Sequence, residues 1–212
     1  MSAIQRWLLS LLATAAAVAV SYFWLDRPIA QLMHDMFAHH EAFERLTHIP
    51  DPFVPVAVVI FIAVGLYALT GRSLTKIKTA ALLCSLSLTT AEAAKNFLKY
   101  VFGRFWPDTW VQNNPSFIHD GAYGFHPFHG GAAYASFPSG HTAITCAVIS
   151  VLWILYPKFR AFCALVVLAV AVGLIGANYH FLGDVIGGGF VGTSAGWMMT
   201  ALWRSRQAAI AE

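Results

Sequence analysis

The chain has 212 residues, of which 58% are hydrophobic and only 11% are charged. A soluble domain carries about 25% charged residues, so this composition excludes an ordinary soluble fold and is typical of a membrane protein. The length of such a chain is best counted in membrane spans of about 20 residues each. The formal net charge of +3 comes without any basic run, which argues against a nucleic-acid partner.

The first apolar run covers residues 7–25 and predicts a membrane-spanning helix. A cleaved signal peptide is the alternative, because small residues fill positions 13–19, but the run is long and continues into aromatic residues. Residues 26–52 follow, with Pro28, Pro50 and Pro52 as predicted breaks, and their helical spacing predicts one or two short interfacial helices. Three histidines of this segment are predicted to be solvated rather than to form a metal cluster: His34, His39 and His40.

Five further spans are predicted, at residues 53–69, 77–102, 141–155, 161–177 and 184–203. A polar loop at 103–137 separates the third span from the fourth. The three cysteines all fall in apolar segments, which favours small buried thiols over disulfides or metal ligands. We therefore predict an all-α polytopic membrane protein, a bundle of six transmembrane helices in a single domain covering residues 1–212.

The basic residues orient this bundle. With six crossings, Arg6, the linker after residue 71, the turn at 158–160 and the tail after residue 203 all fall on one side. Cationic loops face the cytoplasm, so both termini are predicted to be cytoplasmic in the cell membrane, the inner membrane in a Gram-negative organism. All nine histidines then lie on or beside the outer side, which predicts an extracytoplasmic site.

The exit of the third span carries the first polar cluster. Glu92, Lys95 and Lys99 are three and four residues apart, so they share one helix face, and Arg104 follows shortly after. Ionisable groups at membrane depth are costly and usually face a functional interior. The alternative is that Lys99 and Arg104 simply extend to the interface.

The second cluster, Pro138-Ser139-Gly140-His141, opens the fourth span. Pro138 suits the first turn of a helix, Ser139 is a natural cap, and Gly140 lets a ligand approach the backbone. The free N–H groups at a helix start favour a phosphate, and His141 titrates near neutrality. The alternative is a Ser-capped helix with an incidental histidine.

The third cluster is His180 with Asp184, at the start of the sixth span. On a helix, residues four apart stack about 6 Å along the axis on one face. Asp184 can then accept a hydrogen bond from one ring nitrogen of His180 and leave the other nucleophilic. Alone this spacing is common, and a structural pair is the alternative, but the three clusters together favour an anion site.

With these motifs the chain resembles the type 2 phosphatidic acid phosphatase family, the membrane relatives of vanadium haloperoxidases. The family shows Lys…Arg-Pro, then Pro-Ser-Gly-His, then Ser-Arg-x5-His-x3-Asp, and the motif region here is about 92–188. The second motif is complete. In the first, Trp106 stands where the family has arginine, and in the third, Gly173 and Leu174 stand where it has Ser-Arg. A cationic ligand is therefore missing, for which Lys95 or Asn178 could substitute.

The resemblance implies a metal-independent reaction without cofactors, because fixed cations do the work of metal ions. His180, oriented by Asp184, attacks phosphorus and forms a phosphohistidine, while His141 protonates the leaving oxygen and later activates water. The implied phosphate ligands are Lys99, Arg104, Ser139 and the backbone N–H of Gly140.

Other residues of the polar loop are weaker candidates. Asp108 could supply a second carboxylate near the site. The aromatic residues predicted either to line its mouth or only to anchor the chain at the interface are Trp106, Trp110, Phe125 and Phe128. The loop histidines with a possible ligand role, or with none, are His119, His126 and His129.

The predicted function is an integral membrane phosphatase acting on a lipid phosphate or lipid diphosphate. The alternatives are a lipid-to-lipid phosphotransferase with the same site and a non-enzymatic anion-binding membrane protein. Candidate substrates are phosphatidylglycerol phosphate, phosphatidic acid, a polyprenyl diphosphate and a phosphorylated glycolipid. The sequence predicts no particular oligomeric state.

Overall fold

The structure, a computed structural model, describes residues 1–37, 40–110 and 113–211. The described residues form helices, turns and three isolated bridges, without a β-strand, which confirms the all-α class. His39, named above in the interfacial segment, lies outside the described residues. The helices are α1 (Ala3–Val20), α2 (Asp26–Phe37), α3 (Glu41–Thr47), α4 (Phe53–Leu69), α5 (Lys76–Phe102), α6 (Phe117–Asp120), α7 (Gly140–Leu155), α8 (Arg160–Gly176) and α9 (Leu182–Ala211).

A helix covers each of the six predicted spans. Three helical stretches are long and apolar enough to cross a membrane, namely Ala3–Phe37, Pro157–Gly176 and Leu182–Ala209. The apolar helices α4 and α7 are shorter, and α5 has 27 residues but carries charged side chains. Length and composition thus support a membrane protein with several spans, and the count of six crossings stays a prediction.

The predicted break at Pro28 is wrong, because the chain stays helical from α1 into α2. A π-helical turn, Ser21–Leu25, joins the two helices, and Pro28 is the third residue of α2. Proline lacks the N–H for a helical hydrogen bond, and the wider π turn just before it shifts the carbonyl groups that its ring would otherwise meet. This connection also brings Asp26 into the interior, where it is 1% exposed.

The bundle core consists of α5, α7 and α9, which meet at Ala91, Ala147 and Ala195. Glycines bring α9 unusually close to α7: a Cβ on Gly192 would overlap the carbonyl oxygen of Ala143. This close packing fixes the first residues of α7 relative to the first residues of α9, where the second and third motifs lie.

The remaining helices close the bundle around this core. Helix α3 lies on α8, and a Cβ on Gly173 would come within 2.6 Å of the Leu46 Cβ. The three cysteines are unpaired, with Cys146 and Cys163 buried.

Candidate active site

One cavity of about 330 Å³ lies where the end of α5 and the start of α7 meet the loop before α9. Its floor and walls combine cationic, histidine and aromatic side chains. The lining residues are Glu92, Lys95, Lys99, Trp106, Trp110, Gly140, His141, Ile144, Tyr179 and His180.

Helix α5 gives this cavity its charged wall, as the three- and four-residue spacing predicts. Lys95 Nζ lies 3.2 Å from a carboxylate oxygen of Glu92 and would lie 3.4 Å from a Cβ on Gly140, so its ammonium sits against the start of α7. Lys99 Nζ donates to the carbonyl of Ala135 and lies 5.4 Å from the centre of the Trp106 ring. Two ammonium groups thus face one anion-sized space.

The start of α7 is capped by Ser139 as predicted, but Pro138 does not lie in its first turn. Helix α7 begins at Gly140, and the Ser139 hydroxyl accepts the N–H of Thr142 at 3.4 Å. Pro138 therefore precedes the cap and is not in the first turn. Ser139 is fully buried and does not line the cavity, whereas Gly140 does. The phosphate-binding role of Ser139 stays a prediction.

His180 lies in the turn before α9, so it does not share a helix face with Asp184 as the spacing predicts. The pair nevertheless forms, because His180 Nδ1 is 3.5 Å from Asp184 Oδ2. Burial lowers the pKa of His180 below its usual value, and Asp184 acts in the opposite direction. With Nδ1 facing the carboxylate, Nε2 is the nitrogen left for attack on an electrophile.

The Asp184 carboxylate is held from several directions. Its Oδ2 accepts the Ser136 hydroxyl at 2.6 Å and the Phe181 N–H at 3.0 Å. Its Oδ1 accepts Arg104 Nη1 at 2.6 Å. This set of donors fixes the carboxylate, and through it the ring of His180.

Arg104, predicted as a phosphate ligand, does not line the cavity. Its side chain is fully buried, with Nη2 2.5 Å from Asp26 Oδ2 and Nη1 on Asp184. The structure does not bring its guanidinium to the cavity, because both ends of the fork are taken by carboxylates from α2 and α9.

Asn178 is also held away from the cavity. Its side-chain Nδ2 donates to the carbonyl of Ala30 at 3.0 Å, and its main-chain carbonyl accepts the indole N–H of Trp110. Leu174, where the family has arginine, is fully buried in an apolar cluster. Of the two predicted substitutes for the missing cation, the structure brings only Lys95 to the site.

The aromatic candidates divide into two groups. Trp106 and Trp110 line the cavity, and the Trp106 ring centre lies 5.1 Å from that of His180. Phe125 instead packs over the Arg104 guanidinium at 4.9 Å, and Phe128 is exposed. Only the tryptophans are therefore placed to contact a ligand.

The loop carboxylate and histidines lie outside the cavity. Asp108 is 2.8 Å from His119 Nε2 and 3.9 Å from His34 Nδ1. His126 and His129 pack on Tyr134. Among the residues that the structure describes, no group of three His, Cys, Asp or Glu side chains is arranged to hold a metal ion.

Sequence reasoning missed a carboxylate beside His141. Asp51 Oδ1 lies 4.0 Å from His141 Nε2, and its Oδ2 lies 2.7 Å from His48 Nδ1. The ring centres of the two motif histidines, His141 and His180, are 6.5 Å apart, which leaves room for a phosphoryl group between them. Asp51 precedes α4 by two residues and has no sequence spacing to His141 that could have revealed the contact.

The sequence of this chain matches a known family and known proteins. A family model described as the PAP2 superfamily matches residues 80–208. The chain is 31% identical to a lipid A 1-phosphatase of Rhizobium etli over 214 residues, 95% of this chain and 86% of that protein. It is 33% identical to a lipid A 1-phosphatase of Rhizobium johnstonii over 44% of this chain and 35% of that protein.

A solved structure shares the fold. The crystal structure of the first transmembrane PAP2 type phosphatidylglycerolphosphate phosphatase from Bacillus subtilis superposes with a TM-score of 0.64. The match covers 94% of this chain and 96% of that one, at 18% sequence identity.

Proposed function

The chain belongs to the PAP2 superfamily, and we propose that it is an integral membrane phosphatase that acts on a lipid phosphate through a phosphohistidine at His180. One observation carries this proposal: a single cavity brings together two lysines, the start of α7 and both motif histidines. Two lysines and free helix N–H groups bind a phosphate, and two histidines supply a nucleophile and a proton donor.

The reaction follows from the placement of these groups. Lys95, Lys99 and the N–H of Gly140 hold the phosphate oxygens and stabilise their charge. Nε2 of His180 attacks phosphorus while the bond to the leaving oxygen breaks, and that oxygen keeps the bonding electrons and takes a proton from His141. Water then attacks the phosphorus of the phosphohistidine and gives a proton to His141, while the bond to His180 Nε2 breaks with its electrons returning to that nitrogen, and inorganic phosphate leaves.

The substrate that we propose is a glycolipid carrying a phosphate on its sugar, of the lipid A 1-phosphate type. The named relatives are lipid A 1-phosphatases, one of them similar over nearly the whole chain. The cavity supports this choice, since Trp106, Trp110 and Tyr179 offer flat apolar faces next to the phosphate ligands, as a sugar ring requires.

We further propose six crossings with the site at the outer leaflet and both termini in the cytoplasm. Lys76 at the start of α5 and Arg206 near the end of α9 line a groove at the opposite end of these helices from Lys99 and His180. Cationic ends face the cytoplasm, which supports an extracytoplasmic site.

The test is phosphate release from purified protein in detergent, with lipid A 1-phosphate, phosphatidylglycerol phosphate, phosphatidic acid and a polyprenyl diphosphate as substrates. His180→Ala is expected to lower turnover at least about 10³-fold, as loss of a catalytic nucleophile does. His129→Ala, an exposed histidine outside the cavity, is the matched control and is expected to keep full activity.

A labelled phosphoprotein that is acid-labile and absent in His180→Ala would support the covalent intermediate. Unchanged turnover in that variant removes His180 from the mechanism. Transfer of the label to a second lipid without phosphate release identifies a phosphotransferase, and phosphate binding without any turnover identifies an anion-binding protein.

A further inference from the structure

A carboxylate outside the three motifs faces His141. Asp51 lies in the turn between α3 and α4, flanked by Pro50 and Pro52. One carboxylate oxygen is 4.0 Å from His141 Nε2, at the outer limit of an ion pair, and the other is 2.7 Å from His48 Nδ1. His48 thus holds Asp51 at the rim of the cavity.

The other charged groups around His141 oppose a proton on its ring. Lys95 and Lys99 face it from α5, and His180 faces it from the loop before α9. The Glu92 carboxylate in the same cavity lies 3.2 Å from Lys95 and partly offsets that ammonium. A general acid in this place needs a negative group of its own, because like charges disfavour the imidazolium.

We propose that Asp51, held by His48, is a positioning residue that stabilises the imidazolium form of His141 and so favours the form that can act as a general acid. The proposal rests on the proposed phosphatase function. An ion pair acts on the charge of the whole ring, so it favours the imidazolium whichever of its two N–H groups gives up the proton.

The step in which Asp51 acts is the first chemical step. The imidazolium of His141 gives one proton to the leaving oxygen while the P–O bond breaks and its electrons pass to that oxygen. His141 becomes neutral, and the water that attacks the phosphohistidine returns a proton to it. Asp51 exchanges no proton in this step, and no other reactant is required.

The sign of the pH effect follows from this role. Asp51 favours protonated His141, so the acid keeps its proton to a higher pH with the carboxylate than without it. In Asp51→Asn the alkaline limb of kcat/KM therefore moves to lower pH. The other groups around His141 are unchanged in this variant: Lys95, Lys99, His180 and Glu92. A loss of packing alone would lower the rate without moving this limb.

The experiment compares two substrates with different leaving groups. A glycosyl or alkyl phosphate lipid needs protonation of its leaving oxygen. The p-nitrophenolate that leaves from p-nitrophenyl phosphate is a weak base and does not need this proton. Asp51→Asn is expected to lower kcat/KM about 10-fold for the lipid and less than about 3-fold for the aryl phosphate. Asp51→Glu is expected to recover most of the loss. The control is Asp35→Asn, an exposed carboxylate on α2 that accepts from Gln31 and is expected to change neither substrate.

Equal losses on both substrates, or an unmoved alkaline limb, would overturn the proposal. A second readout does not depend on turnover: the titration of His141 by NMR in ¹³C-histidine-labelled protein, assigned with His141→Gln. Its midpoint is expected to fall by about 0.5–1 pH unit in Asp51→Asn. If wild-type protein cleaves neither substrate while this midpoint still shifts, the phosphatase function fails and the ion pair stands. An unshifted midpoint rejects the ion pair.

Discussion

Arg104 joins Asp26 of α2 to Asp184, the aspartate of the third motif. Its two terminal nitrogens lie on Asp26 and Asp184, and Asp26 also accepts the Ser21 hydroxyl at 2.6 Å and the Gly183 N–H at 2.9 Å. Both carboxylates and the guanidinium are fully or almost fully buried. Arg104 therefore holds the Asp184 carboxylate in place, and that carboxylate in turn faces His180.

Asp26→Asn is expected to lower the free energy of unfolding by about 1–3 kcal/mol, because the amide nitrogen replaces a buried oxygen that accepts a hydrogen bond, and Arg104, Ser21 and the Gly183 N–H all donate to this carboxylate. The measurement is denaturant or thermal unfolding in detergent. Glu41→Gln is the matched control: it opens an exposed ion pair of 2.7 Å with Arg45, where both side chains are 79% exposed, and should cost less than about 1 kcal/mol. Equal small losses in both variants would show that the buried pair does not hold the fold.

Residue-scale contacts were predictable only where they are local. The shared face of Glu92, Lys95 and Lys99 and the Ser139 cap follow from spacings of three and four residues. The partners of Arg104 lie 78 and 80 residues away along the chain, and no sequence period connects them. The sequence therefore predicts Arg104 as a phosphate ligand, although the structure pairs its guanidinium with two carboxylates.

At the scale of helices, the site depends on the close packing of α7 on α9. Gly188, Gly192 and Gly196 lie one turn apart on α9 and face Ser139, Ala143 and Ser150. Small residues at this spacing let two backbones approach closely in a membrane. The same face positions His141 at the start of α7 and Asp184 at the start of α9.

Gly192→Ala is expected to destabilise the protein by about 1–3 kcal/mol and to reduce turnover, since the added methyl group overlaps the Ala143 carbonyl and separates α7 from α9. Gly65→Ala in α4 is the control, because a Cβ there meets nothing within 4 Å. It should be neutral or slightly stabilising, since alanine favours helix more than glycine. Unfolding and phosphate release are measured for both, and equal stability of the two variants would contradict the packing argument.

The helices themselves were largely predictable from the sequence, but the connections between them were not. Runs of apolar residues place a helix at each predicted span, because backbone groups in lipid must be paired within the segment. The sequence does not show the π turn at Ser21–Leu25, since proline at 28 ordinarily ends a helix. His180 was likewise assigned to α9, although the helix begins two residues later.

For the whole molecule, the distribution of charge gives the two ends different roles. The site end carries Lys95 and Lys99 next to histidines and tryptophans, where we propose that a phosphate headgroup binds. The opposite end carries Lys76 and Arg206 around an open groove. Composition and the charges of the loops predict this polarity, because a basic excess in short loops sets membrane orientation.

Cysteine labelling of cells that express the protein tests this orientation. His129→Cys lies exposed at the site end, and Ser73→Cys lies exposed in the turn before α5 at the opposite end. A membrane-impermeant maleimide is expected to label the first variant in intact spheroplasts and the second only after permeabilisation. Wild-type protein is the blank, since Cys84, Cys146 and Cys163 lie in helices, two of them buried. The reverse pattern would place the site in the cytoplasm, and its substrate would then have to be presented by the inner leaflet.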